Sequence, residues 1–311
     1  MKKVLVVGEL NADLIMSGLL SLPVLGQELL CDDFRTVMGG SSSICACWTA
    51  GLGAHTAMWS KVGADGLGEF LTGELARMGV ITEGVIRNPD IRTGATISLT
   101  YPHDRAMMTY LGAIANLSLD DLDLDQLKNY NHLHSASIFL QHKLRPGLPA
   151  LFKAAQEAGL STSLDSGWDP TETWGKDIFK VLPYVDYFFP NEAEALHFTG
   201  QVDVEKSSAI LSGYTKNVIV KLGAQGALAR SGELVWRMPG FAVTPVDTTG
   251  AGDAFNAGFI YARVIEEQSI PDAVRFGNAC GAIAVTTIGG TGGIPPAAQV
   301  HTFLLKRAHM V

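Results

Sequence analysis

Val4–Val7 is an unbroken apolar run closed by Gly8. That is the pattern of a strand buried on both faces, since a strand wetted on one side would alternate. Runs of the same kind recur at Val218–Lys221 and, less cleanly, at His132–Ile138, Ser161–Leu164 and Val185–Phe189. Between them lie segments with helical character such as Leu148–Ala158, followed by Gly159, the residue that most easily takes the left-handed turn after a helix. Strands alternating with helices predict an α/β fold of three layers, a mostly parallel sheet with helices on both faces. Two stretches break this rhythm. Residues 13–37 and 93–111 read as strands and turns, and Ala95–Tyr101 alternates apolar and polar side chains. They predict a small β-sheet set apart from the main body, a lid. No repeat, charge block or proline-rich linker divides the chain, so residues 1–311 are expected to form one domain with the lid inserted.

Of the 311 residues, 47% are apolar and 17% charged, enough to fill a large core and too apolar for general disorder. The net charge of −8 disfavours nucleic acid and anionic membrane as partners, because both require a basic face. An anionic substrate would need a local positive site. No apolar stretch reaches the length of a membrane span, and the run at Val4–Val7 stops too early for a signal peptide. Cys31, Cys45, Cys47 and Cys280 form no CxxC pair and read as reduced structural thiols, which suits a cytoplasmic location.

The densest chemistry lies at Asp247-Thr248-Thr249-Gly250-Ala251-Gly252-Asp253-Ala254-Phe255, ahead of the apolar Ala257–Ala262. Glycines allow close backbone approach to a ligand. A helix starting there would present free N–H groups and the positive end of its dipole, an anion site. Asp253 falls in the first turn, where the dipole should hold its pKa low. A glycine loop with Asp253 as an ordinary helix-start carboxylate is the plainer reading, but two Gly, two Thr and two Asp in nine residues exceed what capping requires.

This segment resembles the C-terminal signature of the ribokinase-like, or PfkB-type, carbohydrate kinases. The resemblance runs along nearly the whole chain: Asn11 and Asp13 after the first strand, Gly39-Gly40 followed by small residues, and Asn191-Glu192-Ala193-Glu194 as the N-x-x-E motif all occur in the family's order. It implies ATP-dependent phosphorylation of a hydroxyl on a small carbohydrate such as ribose, fructose or 2-keto-3-deoxygluconate. By position, Asp253 resembles the catalytic base, and the amides of Gly250, Ala251, Gly252 and Asp253 resemble the anion hole for the transferred phosphoryl group. A weak base suffices, because a loose transition state needs little early deprotonation.

The remaining sites follow from the same resemblance, each beside a plainer reading. Asn191 and Glu194 fit a helix capping box, and they also match residues that hold phosphate oxygens and Mg²⁺, the ion through water. Lys221, Gly223 and Gly226 form a strand and tight turn that match the nucleotide site, with Asn278 near the adenine. Asn11 and Asp13 are ordinary turn residues that match groups gripping sugar hydroxyls, and Gly39, Gly40 and Ser43 match the sugar-side backbone. Many family members carry Asn where this chain has Ile44, which leaves the sugar open. Arg105, with His103 and Asp104, reads as a hairpin tip or as a lid contact to substrate. Asp247, Thr249, Ala284, Thr287, Gly289 and Gly293 match places where relatives bind a monovalent cation, here K⁺. His132 and His134 share a strand face without the partners of a metal site.

There is no G-x-x-x-x-G-K-[ST], no G-x-G-x-x-G after the first strand and no protein-kinase motif set, which argues against a P-loop enzyme, a dinucleotide oxidoreductase and a protein kinase. The nearest alternative is a nucleoside kinase of the same family, with Phe34, Tyr101 or Tyr110 stacking on a base. A non-catalytic sugar- or nucleotide-binding relative is the alternative from another class. The lid's open strand edges suggest a homodimer formed through it.

Overall fold

The computed structural model describes residues 1–101 and 105–308. In chain order the strands are β1 Lys3–Val7, β2 Asn11–Ser17, β3 Asp33–Gly39, β4 His55–Gly63, β5 Ile81–Asn88, β6 Gly94–Thr100, β7 Arg105–Tyr110, β8 His132–Ser135, β9 Ser161–Leu164, β10 Tyr187–Phe188, β11 Asn217–Lys221, β12 Ala227–Ser231 and β13 Leu234–Met238. The helices are α1 Ser41–Gly51, α2 Gly66–Arg77, α3 Leu148–Glu157, α4 Ile178–Val181, α5 Glu192–Thr199, α6 Val204–Leu211, α7 Ala251–Ile260, α8 Ile270–Ala284 and α9 Ala297–Ala308.

Nine strands form one sheet in the order β13-β12-β11-β10-β9-β8-β1-β4-β5. β1 pairs in parallel with β4 and β8, so its backbone is satisfied on both sides. Its side chains divide between two cores: Val4 and Val6 pack with α1, α7 and α8, while Leu5 and Val7 pack with α3, β9 and β11. That double burial is why the run is unbroken, and it produces the three layers expected. Only the β11–β12–β13 edge is antiparallel. The polar members of β8, His132 and His134, hydrogen-bond to Ser161 and Ser163 of β9 at 2.7–2.8 Å. Burial pushes their pKa values down to about 3 and about 4. Among the described residues no group of three or more His, Cys, Asp and Glu side chains is placed to hold a metal ion.

Two expected strands are shorter than their apolar runs. His132–Ile138 stops at Ser135, and Val185–Phe189 keeps only Tyr187–Phe188. In each case the chain leaves the sheet toward the functional end. The lid is a separate sheet of order β3-β2-β6-β7. It begins at Asn11, two residues before the expected boundary, and ends its second strand at Gly39, directly opposite Asn11. The lid strands therefore leave the body at the residues matched to the sugar. No helix of the described residues is long and apolar enough to cross a membrane, and Cys45, Cys47 and Cys280 are buried free thiols while Cys31 is exposed.

Candidate active site

Helix α7 opens where the C-terminal ends of β1, β9 and β11 converge. Gly250 takes φ 75°, ψ 2°, a left-handed conformation that L side chains rarely adopt. A Cβ there would also lie 2.6 Å from the Gly290 Cα. This turn sends the backbone into α7 so that Ala251, Gly252 and Asp253 form its first turn with their N–H groups free of helical partners. A Cβ at Gly252 would stand 3.4 Å from Lys221 Nζ, so the ammonium lies against the same turn.

Lys221 is the last residue of β11. Its Nζ donates to Asp165 Oδ2, which also receives Asn256 Nδ2 at 2.6 Å, while Gly167 N donates to Oδ1 at 3.1 Å. Burial alone would raise the Asp165 carboxyl, but these donors, Lys221 foremost, hold it below the usual range. Burial would likewise discharge Lys221, yet Asp165, Glu194 and Asp253 around it keep it firmly cationic. A dry, paired cation thus faces the helix start, where it is worth far more than in water.

Asp253 overturns one expectation. Its pKa stands well above the usual range, not below it. Burial is the main cause and the nearby Asp165 and Glu9 carboxylates add to it; Lys221 and the Ser41 hydroxyl oppose them without prevailing. The helix dipole, worth roughly 0.3–1 kcal/mol, is the smaller effect here. Asp253 is therefore a stronger base than its position in the helix suggests.

Asn191 and Glu194 form the full capping box of α5: Asn191 Oδ1 accepts from Glu194 N at 2.9 Å, and Glu194 Oε2 accepts from Asn191 N at 2.9 Å. Glu194 Oε1 also takes Asn191 Nδ2 at 2.7 Å, and Oε2 takes Ser166 Oγ at 3.3 Å. Its burial pushes the pKa up to about 7, with Asp165 adding. With both oxygens engaged, this carboxylate suits a hydrated Mg²⁺ held through water better than direct ligation.

At the lid junction Asn11 Nδ2 donates to Asp13 Oδ1 at 3.0 Å and to Thr96 Oγ1 at 3.2 Å, and Thr96 meets Thr109 at 3.0 Å. A Cβ on Gly39 would overlap the Asp13 carboxylate, and one on Gly40 would come within 2.9 Å of Asn11 Oδ1. The three serines that follow have separate partners. Ser41 donates to Asp253, Ser42 to Glu9 at 2.5 Å, and Ser43 back to the Gly39 carbonyl and to Gly40 O at 2.9 Å. Ser43 is fully buried, so its hydroxyl closes its own turn. Ile44 packs under Gly250 and Gly290. Arg105 opens β7 opposite Thr100, but its side chain, like His103 and Asp104, lies outside the described residues.

On the other side, Asn278 of α8 donates to the Met238 and Pro239 carbonyls, both at 3.1 Å. Gly226, at φ 92°, fits against Met238 and Gly240, and Gly223, at φ 58°, opens the same turn. Asp247 takes Thr249 N and Oγ1 on Oδ1 and Gly289 N on Oδ2 at 2.9 Å, joining the two loops matched to the cation. Thr287 Oγ1 reaches Ala284 O at 3.3 Å and Gly292 O at 2.7 Å, and a Cβ on the neighbouring Gly293 would lie 3.0 Å from Thr287 Cγ2.

Glu9, Ser41, Thr96, Thr109, Asp165 and Asn256 were not singled out from the sequence. Asp165 and Glu9 carried the available signal, an acidic residue just beyond a strand end, where α/β sheets place ligands. Strand register puts Phe34 and Tyr110 on the lid face opposite Asn11 and Asp13, which removes two of the three aromatic residues that could have stacked on a base there.

Comparisons with known proteins agree with this layout. The pfkB family carbohydrate kinase model matches residues 1–297. A 2-dehydro-3-deoxygluconokinase of Bacillus subtilis is 31% identical over 287 residues, 87% of each chain. Fructokinase-2 of Oryza sativa is 30% identical over 295 residues, covering 89% of this chain and 87% of that protein. Among solved structures, a ribokinase-like protein from E. coli in complex with ATP and Mg²⁺ superposes with a TM-score of 0.87 at 26% identity, over 98% of this chain and 100% of that one. A fructokinase from Vibrio cholerae holding fructose, ADP and calcium superposes at 0.82 with 27% identity, over 98% and 99%. With the fold, the lid and the glycine-started helix all in the family's arrangement, this chain belongs to the pfkB family of carbohydrate kinases.

Proposed function

We propose that this protein transfers the γ-phosphoryl group of ATP to a hydroxyl of a small sugar of the fructose, ribose or 2-keto-3-deoxygluconate kind. The observation that carries the reading is the juxtaposition at the start of α7: a buried, basic Asp253, a left-handed Gly250 turn and a charged Lys221 against Gly252. The sugar sits between Asn11, Asp13, the Gly39-Gly40 backbone and Asp253. ATP lies along Lys221–Gly226, Asn191 and Asn278. The sugar oxygen forms a bond to phosphorus as the bond to ADP breaks, and its proton passes to the Asp253 carboxylate. The first-turn amides and Lys221 face the charge that spreads over the transferred group, which is where most of the rate arises in a loose transition state. Glu194 would hold Mg²⁺ through water, and that ion would supply charge neutralisation at the phosphates. Asp247, Thr249 and the Ala284–Gly293 loop would hold K⁺, whose charge would add to the positive field at the helix start. Closure of the lid excludes water, so that the phosphoryl group passes to sugar and not to solvent.

The test is ADP release with ATP–Mg²⁺ across ribose, fructose, 2-keto-3-deoxygluconate, hexose phosphates and nucleosides, with and without K⁺. Turnover with one sugar, reduced about 10³-fold in Asp253→Asn with KM little changed, is the expected result for loss of a general base. Turnover with nucleosides alone overturns the sugar assignment. Silence on the whole panel with ATP binding intact leaves a binding-only relative.

A further inference from the structure

Helix α1 starts at Gly40, which has no side chain to cap it, and its first turn contains no acidic residue. The cap comes from thirty-three residues upstream in the chain: Glu9 Oε1 accepts Ser42 N at 3.2 Å, and Oε2 accepts Ser42 Oγ at 2.5 Å. Ser137, in a left-handed conformation at φ 51°, donates to the same carboxyl, and Gln141 Nε2 approaches it at 3.4 Å. A non-glycine residue held at positive φ is strained, so its surroundings must impose it. Glu9 is 3% exposed, and burial pushes its pKa up to about 7. Position 40 cannot carry the cap itself, since its φ is 91° and a Cβ there would lie 2.8 Å from Ser43 Oγ and 2.9 Å from Asn11 Oδ1, so this turn depends on a carboxyl brought into the core.

The same helical turn reaches Asp253, through Ser41. We propose that Glu9 is a positioning residue for phosphoryl transfer: it fixes the first turn of α1 so that Ser41 holds the Asp253 carboxyl, and its negative charge keeps that carboxyl basic. The proposal rests on the reading of Asp253 as the base. The other charged groups facing Asp253 are Asp165, just beyond β9, and Lys221 from β11, the latter shared with Glu194 of α5; His134 of β8, beside Asp165, stays neutral. Glu9 is the member of this set that also holds the turn after the Gly39-Gly40 pair, because it binds Ser42, two residues past Gly40.

The experiment follows the Asp253 carboxyl by ¹³C NMR in protein labelled at aspartate and glutamate carboxyls, with the resonance assigned from Asp253→Asn. In Glu9→Gln the Asp253 midpoint is expected to fall by about 1 pH unit, as removal of a nearby like charge requires. The acid limb of kcat moves to lower pH with it, while KM stays within about twofold. Ser42→Ala leaves the charge in place and cuts the link, so kcat falls roughly tenfold with the acid limb unmoved. A capping role alone would lower stability in both variants and shift neither the midpoint nor the limb. An unmoved midpoint in Glu9→Gln overturns the proposal. If Glu9→Gln does not fold, an unchanged kcat in Ser42→Ala overturns it. Undiminished turnover in Asp253→Asn instead overturns the reading beneath it, a result distinct from either.

Discussion

Lys221 and Asp165 face each other from strands 56 positions apart in the chain, and neither is exposed. Removing one partner of such a pair leaves an uncompensated buried charge. Lys221→Met is therefore expected to cost about 3–5 kcal/mol, read as a lowered urea midpoint, and Asp165→Asn in the same chain should recover part of the loss. An unchanged midpoint would show that the pair is solvated. Asp253 was legible from the sequence because its setting is local, four residues within one helical turn. Glu9 and Asp165 were not, because each acquires its meaning from a partner that the chain brings from far away. Even Asp253 was misjudged in its acidity, since the dipole could be read from the sequence and the surrounding carboxylates could not.

At the scale of elements, the glycine-started helix is the unit that the site depends on. Gly250→Ala places a Cβ 2.6 Å from the Gly290 Cα in a left-handed turn. The expected cost is about 1–3 kcal/mol of stability, with a larger loss in kcat than in ATP affinity, measured by thermal unfolding and steady-state kinetics. A variant with wild-type kcat would separate this turn from the chemistry. Strands buried on both faces, β1 and β11, were legible from their apolar runs. β10 was legible in place, within Val185–Phe189, but not in its two-residue extent, because hydrogen bonds to its neighbours define that and composition does not. The lid strands were legible from alternation in Ala95–Tyr101, but the position of Asn11 opposite Gly39 required the pairing itself.

The whole molecule carries several ionisable groups that titrate far from their usual range. Glu9 and Glu194 are each raised to about 7 from 4.5. Their contribution to stability is full below 4.5 and lost as the pH rises through 7. His132 and His134 are lowered from 6.5 to about 3 and about 4, so their contribution is full above 6.5 and lost as the pH falls through those values. From about pH 6.5 to about 7 only the carboxyls among these four still titrate. The ligand-free protein is thus expected to have a higher urea midpoint at the acid end of that window, with the difference reduced in Glu9→Gln; a midpoint rising with pH would reverse the assignment. The lid sheet leaves β3 and β7 as open edges and exposes Leu20, Leu25 and Phe34, the last at 54%. We expect light scattering to give a dimer and Phe34→Asp to give a monomer; a wild-type monomer would leave the lid as a lid alone.

The amino-acid sequence by itself determined the layered α/β architecture, the lid and the place of the glycine-started helix, because these depend on short-range pattern: periodicity, glycine conformation and residues within one turn. Only the tertiary structure decided which carboxylates surround Asp253, that Lys221 is shared among three of them, that Glu9 caps a helix it does not belong to, and which face of the lid meets the site. Electrostatics in a dry interior depends on distance through space, and chain separation carries no record of that distance.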